Sequence, residues 1–348
     1  MNVISKKKPY FPINPALRKY LKKEEREMKL GLVYSDLLEH QLSTPLLDKK
    51  GKDTLWETVF YTPNKTAELN KALAFIYVML KNEGDFSSLE HLRVERIDYC
   101  AFGNSNPFRI CIVNNFNDNY DYFYIKTADA SRVYGLELEH LLSPNRISYY
   151  VDDSTLIEEH IAGIPGDMFM NAYLSTNQIN KVRLAKEFVK FNERCFVRLL
   201  GDMRSYNYVV DITPDFDDVQ YRIRAIDFDQ QCFEGRKNLY LPQFFKENLP
   251  IVELGMELIN ASTVKQYQAE ERSLIARRLI ASRYRVKDLV DCMTKDQIST
   301  PEKVQSLAED LAKHHNNNLF LRCKNMGSVL KLHLKLSLQP HIRKIRSI

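Results

Sequence analysis

The spacing of apolar residues near the N-terminus is that of helices. Within 66–80 the apolar positions recur at three- and four-residue intervals, which is the spacing of one helical face. They are Leu69, Leu73, Ile76 and Leu80. The segment 17–39 is rich in Leu, Lys and Glu, which also favours helix. We therefore predict that residues 1–91 form a mainly helical N-terminal extension.

From residue 92 the pattern changes to that of β-strands. Three short runs rich in β-branched and aromatic residues are separated by Gly/Pro and Asn/Asp turn clusters. The runs are 94–102, 108–113 and 122–127. They predict an antiparallel three-stranded meander. A helix over 131–142 and two further strands, over 147–151 and 156–161, complete a small mixed lobe.

A break rich in Gly and Pro, 162–166, separates this lobe from the rest of the chain. Beyond the break most of the apolar spacing is helical again. The predicted helices are 177–197, 252–260, 264–281, 286–292 and 301–314. A strand–turn–strand unit over 208–228 interrupts them. The pattern predicts an α+β protein with a small antiparallel-sheet lobe and a mainly helical lobe.

Composition is that of a globular protein with a sizeable core: of 348 residues, 44% are hydrophobic and 27% are charged. The net charge of +5 is spread over 50 basic and 45 acidic residues, so it points to no particular partner. Basic clusters near both ends are either solvated tails or, by analogy with basic arms, contacts for nucleic acid or an anionic surface. They contain Lys6, Lys7, Lys8, Arg343, Lys344 and Arg346. We do not expect a nucleic-acid partner.

The six cysteines include no C-x-x-C pair, so the sequence indicates neither a zinc site nor a disulfide framework. Cys111 lies in an apolar run and is expected to be a buried free thiol, as in a reducing compartment. The N-terminus lacks the apolar segment of a signal peptide, and no apolar run is long enough to span a bilayer. We therefore expect a cytoplasmic protein without a membrane partner.

Two acidic segments carry the candidate chemistry. Asp202 is followed five positions later by Asn207 and then by an apolar strand. Further along, a second apolar strand ends at Asp227. Phosphoryl transfer needs a carboxylate that takes the proton of the acceptor hydroxyl, and an amide oxygen and a second carboxylate that hold magnesium against the phosphates. These three residues are of the types that this chemistry needs.

In this order and spacing the chain resembles the protein-kinase-like superfamily, most closely its aminoglycoside phosphotransferase and choline-kinase branch. The family's catalytic loop has the form His-Gly-Asp-x-x-x-x-Asn, followed by a strand and Ile-Asp-[Phe/Trp]. The matching residues here are Gly201, Asp202, Asn207 and Ile226-Asp227-Phe228. The resemblance implies that Asp202 is the catalytic base and that Asn207 and Asp227 bind magnesium. Arg204 stands where many kinases keep a basic residue near the γ-phosphate.

The resemblance also assigns roles in the small lobe. Lys126 ends the third strand of the meander, where the family keeps its phosphate-binding lysine. Strand alternation places Tyr122 and Tyr124 on the same face as this lysine. The helix that follows offers Glu137 and Glu139 as the ion-pair partner of the lysine. Both cannot point the same way, and Glu137 is the preferred candidate of the two.

Two further segments would contact the nucleotide. The stretch 156–166 looks like the family's hinge, and backbone groups near Glu159 to Ile161 would bind the adenine edge. The turn from Gly103 to Asn106 would cover the phosphates, although it contains a single glycine. The expected cofactors are therefore ATP and Mg²⁺.

The resemblance covers about residues 92–260 and has three departures. Leu200 replaces the histidine that usually precedes Gly-Asp. Tyr124 stands where a smaller residue is usual, so either the adenine pocket is remodelled or the strand register differs by one. Asp229 is either an extra metal ligand or a solvated acid.

Taken together, these features predict a bilobal protein-kinase-like fold: an extension over 1–91, an N-lobe over 92–162 and a C-lobe over 163–348. The expected function is ATP- and Mg²⁺-dependent phosphotransfer to a hydroxyl group of a small molecule. Two alternatives are a nucleotide-binding pseudokinase that acts as a scaffold and an enzyme that transfers AMP. The acid-rich segment 211–218 is either a hairpin loop or a site for a cationic acceptor.

Overall fold

The computed structural model describes most of the chain, and its described residues form two compact units. The described residues are 8–81, 85–103, 105–176, 179–216 and 219–347. The first unit lies within Met1–Asp129 and Ile147–His160, and the second within Ala130–Arg146 and Ile161–Ile348. Some residues of the predicted features lie outside the described residues. They are Lys6, Lys7, Asn104, Asp217 and Asp218.

The first unit is built on an antiparallel seven-stranded sheet with the strand order β1-β2-β3-β4-β5-β7-β6. The strands are β1 (Leu42–Leu47), β2 (Asp53–Phe60), β3 (Leu92–Tyr99), β4 (Phe108–Asn114), β5 (Asn119–Thr127), β6 (Tyr149–Asp152) and β7 (Thr155–Glu159). Its helices are α1 (Pro15–Lys23), α2 (Tyr34–Leu37) and α3 (Pro63–Lys81). The predicted meander is confirmed as β3-β4-β5, and the two strands predicted after it are β6 and β7.

The core of this unit lies between α3 and the sheet. The predicted apolar stripe of α3 is buried: Leu69, Leu73, Ile76 and Leu80 are each at most 4% exposed. These residues belong to one cluster with buried sheet residues such as Phe108 and Phe123. Each such side chain stabilises the fold by about 1.5–3 kcal/mol relative to an exposed one. Burial of the stripe therefore explains why the helix forms where the pattern predicts it.

The expectation that residues 1–91 are a helical extension is wrong for 42–60, which form the hairpin β1-β2 of the same sheet. β2 is rich in Thr, Trp, Val and Phe, which favour strands. The turn before it is closed by Asp48, whose carboxylate accepts the N–H of Lys50 at 2.8 Å. Gly51 follows at a φ of 75°, which suits glycine. The sequence of 42–60 therefore indicates a hairpin. The prediction of helix for this segment followed from the Leu/Lys/Glu-rich composition of the neighbouring segment 17–39.

The second unit is mainly helical and contains a small antiparallel sheet of order β10-β9-β8. Its strands are β8 (Ile164–Pro165), β9 (Tyr208–Pro214) and β10 (Val219–Ala225). Its helices are α4 (Ala130–Leu142), α5 (Gly166–Tyr173), α6 (Lys181–Arg198), α7 (Leu249–Leu258), α8 (Ala261–Ala281), α9 (Arg283–Met293), α10 (Pro301–His315) and α11 (Met326–Arg346). The chain is thus a mixed α+β protein, and the five helices predicted after residue 176 are confirmed.

Local sequence explains where the helix before the candidate catalytic loop begins and ends. The side chain of Asn180 caps α6 by accepting the N–H of Arg183 at 3.1 Å. The helix ends at Leu199, which adopts a left-handed conformation with a φ of 53°. The chain therefore turns sharply at this point and enters the segment that contains Asp202.

Two of the features expected from composition can be compared with the structure. Cys111 is buried, as predicted, and all six cysteines are free thiols. Within the described ranges, no helix combines the length and the apolar character that crossing a membrane requires.

Candidate functional site

The loop after α6 holds Asp202 in a defined backbone conformation. Its amide N–H donates to the carbonyl oxygen of Leu239 at 3.1 Å. The φ of Asp202 is 57°, in the left-handed region that aspartate adopts more readily than most residues. Gly201 donates to the carbonyl oxygen of Gln230 at 3.3 Å, which fixes the preceding residue too. Backbone of this kind persists where the surroundings hold it, and it is frequent at functional sites.

Asn207 joins the two acidic segments of the sequence. Its side-chain Nδ2 donates to the carbonyl oxygen of Asp202 at 2.7 Å. Its own carbonyl oxygen accepts the N–H of Ile226 at 3.0 Å, one residue before Asp227. The pairing of β9 with β10 continues from this bond, with Tyr208 opposite Ala225. The structure therefore brings Asp202, Asn207 and the residue before Asp227 together within the second unit.

Asp202 shares an arginine with a second carboxylate. Arg204 Nε donates to Asp202 Oδ1 at 2.8 Å, and its Nη1 donates to Glu247 Oε1 at 2.7 Å. The side chains of Asp202 and Arg204 are about a third exposed, at 35% and 34%. Burial raises the pKa of Asp202, and the hydrogen bond from Arg204 opposes that rise. Asp202 is therefore a partly open carboxylate whose affinity for a proton exceeds that of an ordinary aspartate.

Asp227 and Asp229 share a cation from helix α4. Arg132 Nη1 lies 2.8 Å from Asp227 Oδ1 and 2.8 Å from Asp229 Oδ1. Arg132 is buried, whereas the Asp227 side chain is 32% exposed. α4 can approach this segment closely because Gly135 has no Cβ, which would lie 2.9 Å from the Cβ of Phe228. Asp229 is thus the partner of an arginine rather than a solvated acid.

The side chains of this loop have the chemistry to hold magnesium. Because the Nδ2 of Asn207 points to the backbone of Asp202, its Oδ1 faces away from that bond and is available to a cation. Carboxylate and amide oxygens are the ligands that Mg²⁺ prefers, usually together with phosphate oxygens and water. Among the described residues no group of three or more His, Cys, Asp or Glu side chains is arranged to hold a metal ion. A magnesium ion here would therefore depend on phosphate oxygens for part of its coordination.

Lys126 has a carboxylate partner within the first unit. Its Nζ lies 2.9 Å from Glu158 Oε2, and both side chains are buried. Lys126 also lies 5.3 Å from the ring centroid of Tyr124, so the two share a face of β5 as strand alternation predicts. The Tyr124 hydroxyl is 3.2 Å from His160 Nδ1. The tyrosine therefore fills space beside the lysine.

Glu137 and Glu139 have arginine partners within the second unit. Arg285 contacts Glu137 at 2.9 Å, and Arg198 forms an ion pair with Glu139. Both glutamates are buried. The sequence predicted that one of these glutamates pairs with Lys126, whereas the ion pairs above join each of them to an arginine. An ion pair with Lys126 stays a prediction.

The predicted hinge and turn residues lie at the end of a strand or in the segments that follow strands. Glu159 ends β7, and its N–H donates to the carbonyl oxygen of Ser148 at 3.1 Å. Ile161 begins the next segment and is 8% exposed. Gly103 lies in the turn between β3 and β4, where its carbonyl oxygen accepts the N–H of Asn106 at 3.2 Å. Their roles at adenine and phosphate stay predictions.

Sequence reasoning missed three of the groups that set this chemistry. They are Arg132, Glu158 and Glu247. Glu158 could have been found from strand register, because β5 pairs with β7 and places Leu156 opposite Lys126, two residues from the glutamate. The other two are far in sequence from their partners, and no local pattern marks them.

Comparisons with known proteins give little further information. Neither protein-family models nor curated protein sequences match the chain. A solved structure of titin kinase and its flanking domains matches at 12% identity with a TM-score of 0.25. The match covers 71% of this chain and 54% of that chain, so it spans about half the length of the solved structure. At this TM-score the likeness adds nothing to the fold and the site described above.

Proposed function

We propose that this chain is an ATP- and Mg²⁺-dependent phosphotransferase of the protein-kinase-like type, with a hydroxyl group as acceptor. The observation that carries the proposal is the link made by Asn207 between Asp202 and Ile226, the residue that follows β10 and precedes Asp227. Although the β9-β10 hairpin separates Asp202 from Asp227 in sequence, Asn207 bonds to the first residue and to the neighbour of the second. The order of these residues also resembles the family's motif.

In the proposed reaction Asp202 acts as the general base. It takes the proton of the acceptor hydroxyl while the hydroxyl oxygen forms a bond to the γ-phosphorus of ATP. The bond between that phosphorus and the β–γ bridging oxygen breaks with its electron pair, and ADP leaves. Asp202 then releases the proton to solvent. The raised pKa of Asp202 suits this role, because a stronger base accepts the proton more readily.

The remaining groups would bind and orient the nucleotide. Asn207 and Asp227 would hold magnesium, which when bound neutralises charge on the phosphates. Arg204 would stabilise charge on the transferred group, and Lys126 would bind phosphate as the resemblance implies. The proposal thus includes ATP as the nucleotide and a small molecule as the acceptor, together with these residue roles.

The test is calorimetric binding of Mg²⁺-ATP to the wild type and to Asp227→Ala. We expect the wild type to bind and the variant to lose binding while its circular dichroism stays that of the folded protein. Asp215→Ala is the matched control, because Asp215 is an exposed acid of the same unit that pairs with Gln220. Equal binding by wild type and Asp227→Ala would overturn the assignment of Asp227.

A second candidate function is nucleotide binding without transfer. It is favoured by Arg132, which already supplies a positive charge to Asp227 and Asp229. Product analysis by mass spectrometry across a broad screen of hydroxyl compounds separates the two candidates. A phosphorylated product supports the enzyme, and nucleotide binding without any modified acceptor supports the binding protein. Transfer of AMP would be recognised by the mass of the added group.

A further inference from the structure

A cavity of about 780 Å³ lies beside the loop that contains Asp202, within the second unit. Arg204 lines this cavity while its Nε contacts Asp202. Leu239, another lining residue, accepts the amide N–H of Asp202 through its carbonyl oxygen. The volume is in the range of small-molecule sites. A molecule in this cavity would therefore lie next to the proposed catalytic base.

The charged groups of the cavity are mostly cations. They are Arg204, Arg236, Lys237 and Lys246, against the carboxylates of Glu247 and Asp310. Both carboxylates are already engaged within the protein. Glu247 accepts from Arg204 at 2.7 Å, and Asp310 accepts the backbone N–H of Lys237 at 3.0 Å.

Three of these cations are not held in ion pairs with any described residue. In the part of the chain that the structure describes, the side chains of Arg236, Lys237 and Lys246 form no ion pair. Arg236 and Lys246 are exposed, and Lys237 is half-buried. Like charges gathered around one concavity attract an anion and repel a cation.

These cations do not belong to one solvated helix face. Arg204 comes from the loop after α6, Arg236 and Lys237 precede a short 3-10 turn or lie in it, and Lys246 lies in another. Three separate segments thus converge on the cavity. Phe245 is buried beneath the Arg204 guanidinium, 5.1 Å from it to the ring centroid, and holds that side chain in place. Convergence from separate segments is more typical of a binding site than of a solvated charge run.

The acid-rich segment considered in the sequence has a different arrangement. Asp211 lies opposite Arg222 in the β9-β10 hairpin, and Asp215 accepts from Gln220 at 2.7 Å. Over its described residues, 211–216, the segment is therefore the end of β9 and the beginning of the hairpin turn. It offers no comparable argument for a cationic acceptor.

We propose that the acceptor is a small hydroxyl compound that already carries a phosphate monoester, and that the cationic cavity binds this phosphate. The inference deepens the proposed phosphotransfer and rests on it. Arginine binds phosphate through a planar fork and lysine as a point charge, so a mixed set suits a phosphate group. The phosphate would hold the acceptor while a second group, its hydroxyl, reaches Asp202. The product is a compound with two phosphate esters.

The first experiment measures binding of inorganic phosphate by calorimetry in the presence of saturating Mg²⁺ and a non-hydrolysable ATP analogue. We compare the wild type with the double variant Arg236→Ala/Lys246→Ala. Each charge-assisted contact is worth about 1.5–3 kcal/mol, so loss of one contact weakens binding about tenfold or more. Arg322→Ala/Lys335→Ala is the matched control, because it removes the same charges from exposed positions of the same unit outside the cavity.

We expect phosphate binding to weaken at least about tenfold in the cavity variant and to stay unchanged in the control. Affinity for the ATP analogue should stay the same in all three proteins. Equal phosphate affinity in wild type and cavity variant, or phosphate binding that competes with the analogue, would overturn the inference. If phosphate binds but the analogue does not, the proposed phosphotransfer fails, and the acceptor role of the cavity fails with it.

The second experiment measures turnover with acceptor pairs that differ only in a phosphate. Glycerol is compared with glycerol 3-phosphate, and ribose with ribose 5-phosphate. The inference predicts a higher kcat/KM for the phosphorylated member, and loss of that preference in the cavity variant. Turnover of both members at equal kcat/KM would support phosphotransfer and overturn the inference about the acceptor.

Discussion

Among the arginine–carboxylate pairs of the second unit, Glu139–Arg198 and Asp202–Arg204 lie in opposite surroundings. Glu139 and Arg198 are buried, with side chains 2% and 1% exposed. Asp202 and Arg204 are 35% and 34% exposed. Arg198 is the last residue of α6 and binds Glu139 of α4, whereas Asp202 and Arg204 lie in the loop that follows α6. An acidic residue and an arginine thus form a buried ion pair in one case and a partly exposed ion pair in a loop in the other.

The buried pair lies next to further ion pairs, because Arg198 Nε donates to the carbonyl oxygen of Arg194 at 3.0 Å. Arg194 contacts Glu187 at 2.6 Å and Glu271 at 3.6 Å. Burial by itself would raise the pKa of Glu139, but Arg198, the Ser143 hydrogen bond and Arg194 together outweigh that effect and hold the pKa below its usual value. Both charges are therefore retained in the interior, where neither has access to a substrate. The open pair keeps a carboxylate that solvent and substrate can reach.

The largest effect is expected when the open carboxylate is neutralised. Asp202→Asn should lower kcat by about 10² to 10⁴-fold, the usual contribution of a general base. The free energy of unfolding should change little, because the side chain is partly exposed. Turnover is measured as ATP consumption with the preferred acceptor, and stability by urea unfolding. Wild-type turnover in this variant would show that the open pair is not catalytic.

Neutralising the carboxylate of the buried pair should change stability. Glu139→Gln leaves Arg198 buried without its counter-charge and should lower the free energy of unfolding by about 3–5 kcal/mol. Glu270→Gln is the control, since the partly exposed pair of Glu270 with Lys190 should contribute about 1 kcal/mol or less. The double variant Glu139→Leu/Arg198→Met should regain much of the loss. Equal losses of unfolding free energy in Glu139→Gln and Glu270→Gln, measured by urea unfolding, would show that burial does not make the Glu139–Arg198 pair more important for stability.

Arg132 lies between these extremes, because it is buried but its partner Asp227 is partly exposed. Arg132→Gln should lower the free energy of unfolding by about 1–3 kcal/mol, since two carboxylates lose their shared donor. Mg²⁺ supplies the missing charge, so it should raise the Tm of this variant more than that of the wild type. Arg222→Gln, at an exposed position of β10, serves as the control. An equal Mg²⁺ effect on all three proteins would show that the ion does not reach these carboxylates.

The smallest expected effect is on the pH dependence of turnover. Asp202 acts as a base when deprotonated, so activity is present above its pKa and is lost as the pH falls through it. Arg204 lowers that pKa and Glu247 raises it. The acid limb of kcat should therefore move to higher pH in Arg204→Gln and to lower pH in Glu247→Gln. Shifts in the same direction would show that Asp202 is not the group that titrates.

Much of the secondary structure followed from local pattern. The stripe of α3, the meander β3-β4-β5 and the helices after residue 176 were predictable because side-chain periodicity reports which face is buried. The hairpin β1-β2 was missed because short strands have weaker patterns, and its neighbours read as helical. The types and spacing of Asp202, Asn207 and Asp227 were also visible in the sequence. One hairpin separates Asn207 from Asp227, so the three residues form a motif that can be recognised from their order along the chain.

The partners of these residues were decided by tertiary structure. Arg132 reaches Asp227 across 95 positions, and Arg204 meets Glu247 across 43. The sequence alone therefore determined which groups are present and which segments are helices or strands, since both depend on local pattern. Only the fold decided which charge faces which, and that the cations of 236–246 surround a cavity beside Asp202, because ion pairing depends on distance in space and burial rather than on position along the chain.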